Sequence, residues 1–404
     1  MLEPYKDRYR SLDIWRGAAC LMIVIIHSSY YLLGHPDQLG EGVLAKVVEF
    51  SMPYFLLGVP IFFVISGYCI TATSLSSAEN SRPLKQYFLR RFKRIYPPYW
   101  IALAVMVLLV GGVYQIAPDL LADSSHPVGQ ASSLSWTQWV ANLTLTEIWR
   151  HHFIPGERVF FLMQAWSLCY EEQFYALCGL AIWLWPGKYF RVMLWLSAAV
   201  IVPATLFITK LNLPVEGFFF DGLWLLFAAG ILIYYQVNRA SPEQVTLIRL
   251  TLVASILGSV VLRFGHHLPG ATFVESGVNK VRAMQYLAGF LFALALSFLH
   301  RKDAELSRSR LLSPLNFCGK MCYSLYLVHW PITKLVSHLL FRLGVRGTVQ
   351  TLAVVIPSCI AVSVGAAWVF CQLVEKRFLN QPQLAGRSNP VGVGDSKSQV
   401  VMTG

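Results

Sequence analysis

Two ionisable residues of the first apolar stretch, Arg16 and His27, stand eleven positions apart. On a helix turning about 100° per residue that spacing is three turns plus about 20°, so both lie on one face, His27 about 16 Å deeper. Asp13, three residues before Arg16, is placed to pair with it. Ionisable groups inside an apolar span are costly and point to function. The bland readings are an arginine snorkelling to the interface and a hydrogen-bonded structural histidine.

Three further segments carry chemistry. Arg90-Arg91-Phe92-Lys93-Arg94 leads directly into Pro97-Pro98. Anchoring on the inner face explains the charge. Arginines at the start of a helix also make an anion site, because forked guanidinium groups and unpaired amides both suit phosphate, so a phosphorylated cytosolic cofactor is expected. Trp166 to Tyr175 contains Glu171 and Glu172, which point about 100° apart, so at most one faces a given site. A solvated carboxylate at a helix start is the alternative reading. Tyr323, Tyr326 and His329 recur at three-residue spacing ahead of Pro331, and a helix–helix hydrogen bond is the plain reading of His329. The expected arrangement is layered, with arginines at the inner face, His27 and His329 near the middle, and a carboxylate toward the outer face. Such a site suits a cytosolic donor meeting an acceptor inside the membrane.

The elements that position these residues follow from composition. The chain has 404 residues, of which 55% are hydrophobic and 13% charged, with a mean hydropathy of +0.53. Soluble domains carry about 25% charged residues. The expected class is an all-α, polytopic integral membrane protein. Ten apolar segments are long enough to span a bilayer, near 13–34, 52–74, 97–113, 168–186, 190–209, 219–237, 247–264, 282–300, 320–341 and 348–372. Arg16 inside the first segment, with no small-residue cleavage site after it, argues against a cleavable signal peptide. With the N-terminus inside, more than twice as many of the 33 lysines and arginines fall on inner segments as elsewhere. That bias predicts both termini in the cytoplasm.

The net charge of +12 fits this anchoring, and no basic stripe interleaved with aromatics suggests nucleic acid. All eight cysteines fall in or at the ends of spans, so a disulfide framework is not expected. Cys318 and Cys322 lack a second ligand pair at zinc spacing, and no metal is expected. The long connection 114–167 has tryptophans suited to an interfacial helix over 136–148, and Asn142-Leu143-Thr144 forms a sequon. The membrane domain is expected over 1–375, with a disordered cytoplasmic tail over 376–404 rich in Gly, Ser, Pro and Gln.

The motifs together resemble the acyltransferase-3 family of membrane O-acyltransferases. Ser11 to Ala19 continuing to His27 is similar to the family's opening helix, a basic residue followed by ten positions and then His. Phe62-Phe63-Val64-Ile65-Ser66-Gly67-Tyr68, Arg90 to Tyr99, Trp166 to Tyr175 and Tyr323 to Pro331 resemble four more motifs in family order. Ile14-Trp15 stands where Gly-Leu is commoner, and Cys169-Tyr170 where smaller residues are.

The resemblance implies ten core spans in a bacterial inner membrane. It also implies transfer of an acyl group, usually acetyl from acetyl-CoA or another acyl-CoA, to a hydroxyl of a carbohydrate or lipid-linked glycan acceptor. Some members add an extracellular hydrolase-like domain, which the short tail here is not expected to hold. A sugar hydroxyl needs a positioned base to attack a thioester. His27 is expected to take that proton, or to carry the acyl group transiently. Glu171 would orient His27 or bind the acceptor, with His329 a third member of the site. Arg16, Arg90, Arg91 and Arg94 would hold the CoA phosphates. The rival reading is a transporter of a glycan or small solute, since buried His, Arg and Glu also serve proton relays.

Overall fold

The computed structural model describes residues 9–79, 83–117, 130–209, 215–264 and 277–379. Among them every regular element is helical and no strand occurs. This is the outcome hydrocarbon imposes on an apolar chain, because a helix satisfies its own backbone amides and carbonyls.

Ten long elements occupy the ten expected segments. They are α1 (Leu12–Leu33), α2 (Gly58–Glu79), α3 (Leu84–Ile116), α5 (Ala165–Leu184), α6 (Tyr189–Thr209), α7 (Trp224–Asn238), α8 (Pro242–Phe264), α9 (Gly277–Leu299), α11 (Cys322–Arg342) and a last helix. That last helix runs over Thr348–Phe378, with α12 (Ile356–Phe370) at its centre and π-helical turns on either side. Shorter helices intervene, among them Val43–Ser51, α4 (Trp136–Leu143) and α10 (Ser313–Lys320). Among the described residues six helices are long and apolar enough to cross a membrane by length and composition: Leu12–Leu33, Val43–Glu79, Leu84–Ile116, Pro242–Phe264, Val281–Arg308 and Thr348–Phe378. The apolar stretches Tyr189–Thr205 and Trp224–Asn238 are shorter. Of the tail expected over 376–404, Lys376–Phe378 are helical and residues 380–404 lie outside the described part.

Two contacts between small residues set the helix positions around the site. Gly17 of α1 lies against the backbone of Leu315, and Gly319 of α10 lies against the backbone of Asp13. Gly67 of α2 and Gly230 of α7 meet in the same manner, each over the other helix's carbonyl oxygens. A methyl group at any of these positions would collide with backbone, so the helices approach closely only because no side chain is there.

The structure corrects one boundary. The basic run 90–94 is not a loop before a helix start, because α3 begins at Leu84 and continues through Pro97 and Pro98 to Ile116. Prolines inside a helix are tolerated in a packed membrane bundle when neighbours satisfy the carbonyls they release. Beside the proline pair the Tyr323 hydroxyl donates to the Ile95 carbonyl at 2.7 Å, which ties α3 to α11. The amides of residues 90–94 are therefore inside the helical ladder, and the anion site expected from unpaired amides reduces to the guanidinium groups alone.

The interfacial helix expected over 136–148 is split. α4 ends at Leu143 and a short helix covers Glu147–Arg150. α4 opens with a reciprocal cap in which the Ser135 hydroxyl accepts from the Gln138 amide and the Gln138 side chain accepts from the Ser135 amide. Asn142 of the sequon is buried, donating to the Gln138 and Val159 carbonyls and accepting from the Phe161 amide. It is a structural crosslink, closed to glycosylation in the folded protein.

Candidate functional site

Pro331 organises the centre of the site. Lacking an N–H, it leaves the Leu327 carbonyl, four residues earlier, without a helical donor. Gln164 fills that vacancy from the start of α5, its Nε2 donating to the Leu327 carbonyl at 2.9 Å and to the Tyr326 carbonyl at 3.2 Å. The Tyr326 hydroxyl donates back to the Gln164 carbonyl, and the Ser167 hydroxyl lies 3.1 Å from the Tyr326 hydroxyl. The start of α5 is thus pinned to the middle of α11, at the level of His329.

His27 and His329 meet there. Nδ1 of His27 is 3.0 Å from Nε2 of His329, and the rings are 5.1 Å apart between centroids. His329 Nδ1 lies 2.8 Å from the Tyr326 carbonyl and 3.0 Å from the Leu325 carbonyl. Carbonyls only accept, so His329 Nδ1 carries its proton. In a neutral pair His329 Nε2 is then the acceptor, His27 Nδ1 donates to it, and the lone pair of His27 sits on Nε2. The Trp330 ring stands edge-on to His27 at 4.8 Å between centroids, and the Tyr30 ring lies at 5.1 Å.

From its pinned start, α5 runs antiparallel to α3. The Tyr96 hydroxyl reaches Glu172 at 3.5 Å, Arg91 stacks 3.2 Å from the Tyr175 ring centroid, and Gly179 faces Tyr87 and Phe88. Glu171 therefore lies between the histidine pair and Arg91. It accepts from the Ser66 hydroxyl at 2.5 Å. Three residues along α2, the Cys69 sulfur accepts from Arg16 at 3.0 Å, while Asp13 pairs with the same guanidinium at 2.9 Å. The expected layering is overturned on this point, because the carboxylate lies on the arginine side of His27 and is bonded to Ser66. The reason is the inward-folded segment 130–164, which starts α5 deep in the bundle.

A buried network holds α5 in that position. Asp221 accepts from the Tyr170 hydroxyl and from Arg282 at 2.8 Å, and the Tyr170 hydroxyl in turn accepts from the Gly217 amide at 2.9 Å. Tyr170 precedes Glu171, so this ion pair ties the carboxylate's own helix to α9. Removing one partner would leave a buried charge uncompensated.

One cavity of about 570 Å³ joins these groups. Asp13, Arg16, His27, Ser66, Arg91, Arg94, Glu171, Tyr326 and His329 all line it. Arg90 and Glu172 do not, although Arg90 was expected at the phosphate end. Sequence reasoning missed Ser66, Cys69, Gln164 and Glu375. Glu375, which also lines the cavity, caps the start of α11 by accepting from the Ser324 amide and hydroxyl. Gln164 had a signal in Pro331, since a released carbonyl calls for a donor.

The described residues contain no group of three or more His, Cys, Asp or Glu able to hold a metal ion. All eight cysteines are thiols, Cys20 and Cys322 being 3.3 Å apart at sulfur. Arg16, Arg91 and Arg94 line the cavity on one side of Glu171, and the His27–His329 pair lines it on the other.

The profile of a family described as an acyltransferase domain matches residues 9–371. The chain belongs to this acyltransferase-3 family. Over 305 residues, 70% of its length, it is 26% identical to the peptidoglycan O-acetyltransferase OatA of Listeria monocytogenes, of which it covers 46%. It is 27% identical over 211 residues to a putative O-acetyltransferase of Staphylococcus aureus, covering 52% of this chain and 30% of that protein. It is 25% identical over 349 residues to the putative membrane-bound transacylase BcsY of Komagataeibacter xylinus, covering 83% of this chain and 76% of that protein. The chain thus spans less than half of the first two relatives. No solved structure matches. All five motifs fall inside the matched region, and several apolar helices mark a multi-pass integral membrane protein.

Proposed function

We propose that this membrane acyltransferase moves an acyl group, acetyl in the simplest case, from acyl-CoA to a hydroxyl of a carbohydrate or lipid-linked glycan of the cell envelope. In this reading all ten long helices cross the bacterial inner membrane, with both termini in the cytoplasm. The observation that carries it is the His27–His329 pair opening into the cavity that also holds Arg16, Arg91 and Arg94. OatA's name, a peptidoglycan O-acetyltransferase, supports the choice of acceptor class.

The chemistry follows from the tautomers. His27 Nε2 takes the proton of the attacking hydroxyl, which contributes about 10²–10⁴-fold. The charge gained is stabilised through Nδ1–H by His329, whose own ring is fixed by the two carbonyls. The hydroxyl oxygen bonds to the thioester carbon, the C–S bond breaks, and the leaving CoA thiolate takes the proton from His27, which restores the neutral pair. Arg91 and Arg94 hold the CoA phosphates, with Arg16 further in, restrained by Asp13 and Cys69. Glu171, held by Ser66, faces the donor side and contributes to placing the thioester. Arg90, placed off the cavity, serves as an outer anion guide.

Purified protein in lipid nanodiscs, given acetyl-CoA and envelope glycan, should release free CoA in step with ester formation. The same preparation of His27→Ala should not. Substrate movement across vesicles without CoA release would overturn the reading in favour of a carrier.

A further inference from the structure

A second cavity, larger than the first at about 950 Å³, lies among α6, α7, α8 and α9. No residue lines both cavities. It exists because α8 packs closely on α9 but only lightly against α7. Small residues, among them Ala198, Ala229 and Gly258, recess its walls.

Its walls are mostly apolar between the two ends, and the Ser197, Thr251, Ser255 and Ser259 hydroxyls along them donate to carbonyls of their own helices. Arg191, near the start of α6, lines it beside Tyr235 near the end of α7 and Gln244 near the start of α8. Among the described residues Arg191 is the one charged group that lines it, and it enters no ion pair there. At the other end stand Ala204, Thr205 and Tyr286, whose hydroxyl is buried without a hydrogen-bond partner. Arg191 and Thr205 are fourteen residues apart on α6, about 21 Å along the helix. That exceeds half of a hydrocarbon core about 30 Å thick.

Such a space does not stay empty in a bilayer, because its lining would forfeit dispersion contacts along its whole length. Water has too few polar partners there to replace them. Acyl chains fit both the walls and the length. The cation at one end selects the headgroup, since a guanidinium binds phosphate through paired donors. We propose that this groove is a binding site for one anionic phospholipid, its phosphate on Arg191 and its acyl chains running toward Tyr286. The site is independent of the acyl-transfer reading.

The test uses the full chain purified in neutral detergent, with native mass spectrometry counting retained lipids and unfolding temperature measured on titration of phosphatidylglycerol or phosphatidylcholine. One phosphatidylglycerol should be retained, and it should raise the unfolding temperature at a concentration at least tenfold below phosphatidylcholine. Arg191→Gln should abolish that preference. Gly258→Phe, placed where an added Cβ meets no atom within 4 Å, should fold and lose the lipid while keeping Arg191. Equal response to both lipids in the native chain, or an unchanged preference in Arg191→Gln, overturns the proposal. So does a dimer that covers the groove with no lipid retained.

Discussion

His27 Nδ1 and His329 Nε2 lie 3.0 Å apart although 302 residues separate them in the chain. The ring planes are close to parallel, at 5°. One ring therefore decides the tautomer of the other, and the two act as a unit in which His329 is anchored by the carbonyls of its own helix.

Replacing His27 with Ala is expected to lower the rate of CoA release in the presence of acceptor by about 10²–10⁴-fold. The variant should insert and run as the native protein on size-exclusion chromatography. Retention of full transfer would remove His27 from the chemistry.

In the proposed mechanism His329 is a positioning residue that acts through His27, so its substitution should be graded. His329→Ala should reduce kcat by about 10–100-fold, the usual scale for losing the partner that orients a functional histidine. His329→Gln, whose amide oxygen accepts from His27 Nδ1–H, should recover part of that loss. The pH–rate profile distinguishes this from a packing defect. Without His329 to stabilise the imidazolium, the limb that reports His27 should move, whereas a packing defect would lower the whole profile.

The arginines divide by their place around the cavity. Arg91→Ala and Arg94→Ala should each raise KM for acyl-CoA by about tenfold, the loss of one charge-assisted hydrogen bond, with a smaller change in kcat. Arg90→Ala should do much less, because Arg90 does not line the cavity. Steady-state kinetics at two ionic strengths checks this, and the native KM should rise with salt.

Gly319→Val should prevent close packing of α10 on α1, since its Cβ would meet the Asp13 backbone. A loss of about 1–3 kcal/mol is the scale for such overpacking, visible as a lower unfolding temperature. Gly365→Ala, inside α12 and open around its Cβ, is the control and should not lower that temperature.

Much of this architecture was legible in the residues themselves. The expected apolar runs lie on helices among the described residues, six of them long and apolar enough to cross a membrane, because a run of that length in lipid has one way to satisfy its backbone. Arg16 and His27 sharing a face followed from helical period alone. The spacing of Tyr323, Tyr326 and His329 ahead of Pro331 likewise marked one side of α11 as polar.

Tertiary structure decided what those faces meet. Periodicity tells which side of a helix is buried, and it carries no information on which helix lies opposite. The Leu327 carbonyl released by Pro331 is satisfied by Gln164, 163 residues away, and that contact starts α5 inside the bundle. This carries Glu171 to the arginine side of His27, the reverse of the order expected from assigning spans in sequence. The same dependence on neighbours let α3 pass through Pro97 and Pro98, turning an expected loop of arginines into a helix on which Arg91 and Arg94 line the cavity and Arg90 does not. The sequence by itself determined the membrane class, the helices and which polar residues share their faces. The pairing of His27 with His329 and the position of Glu171 were decided by the tertiary structure, because a buried polar group takes its partner from whatever packing brings within hydrogen-bond reach.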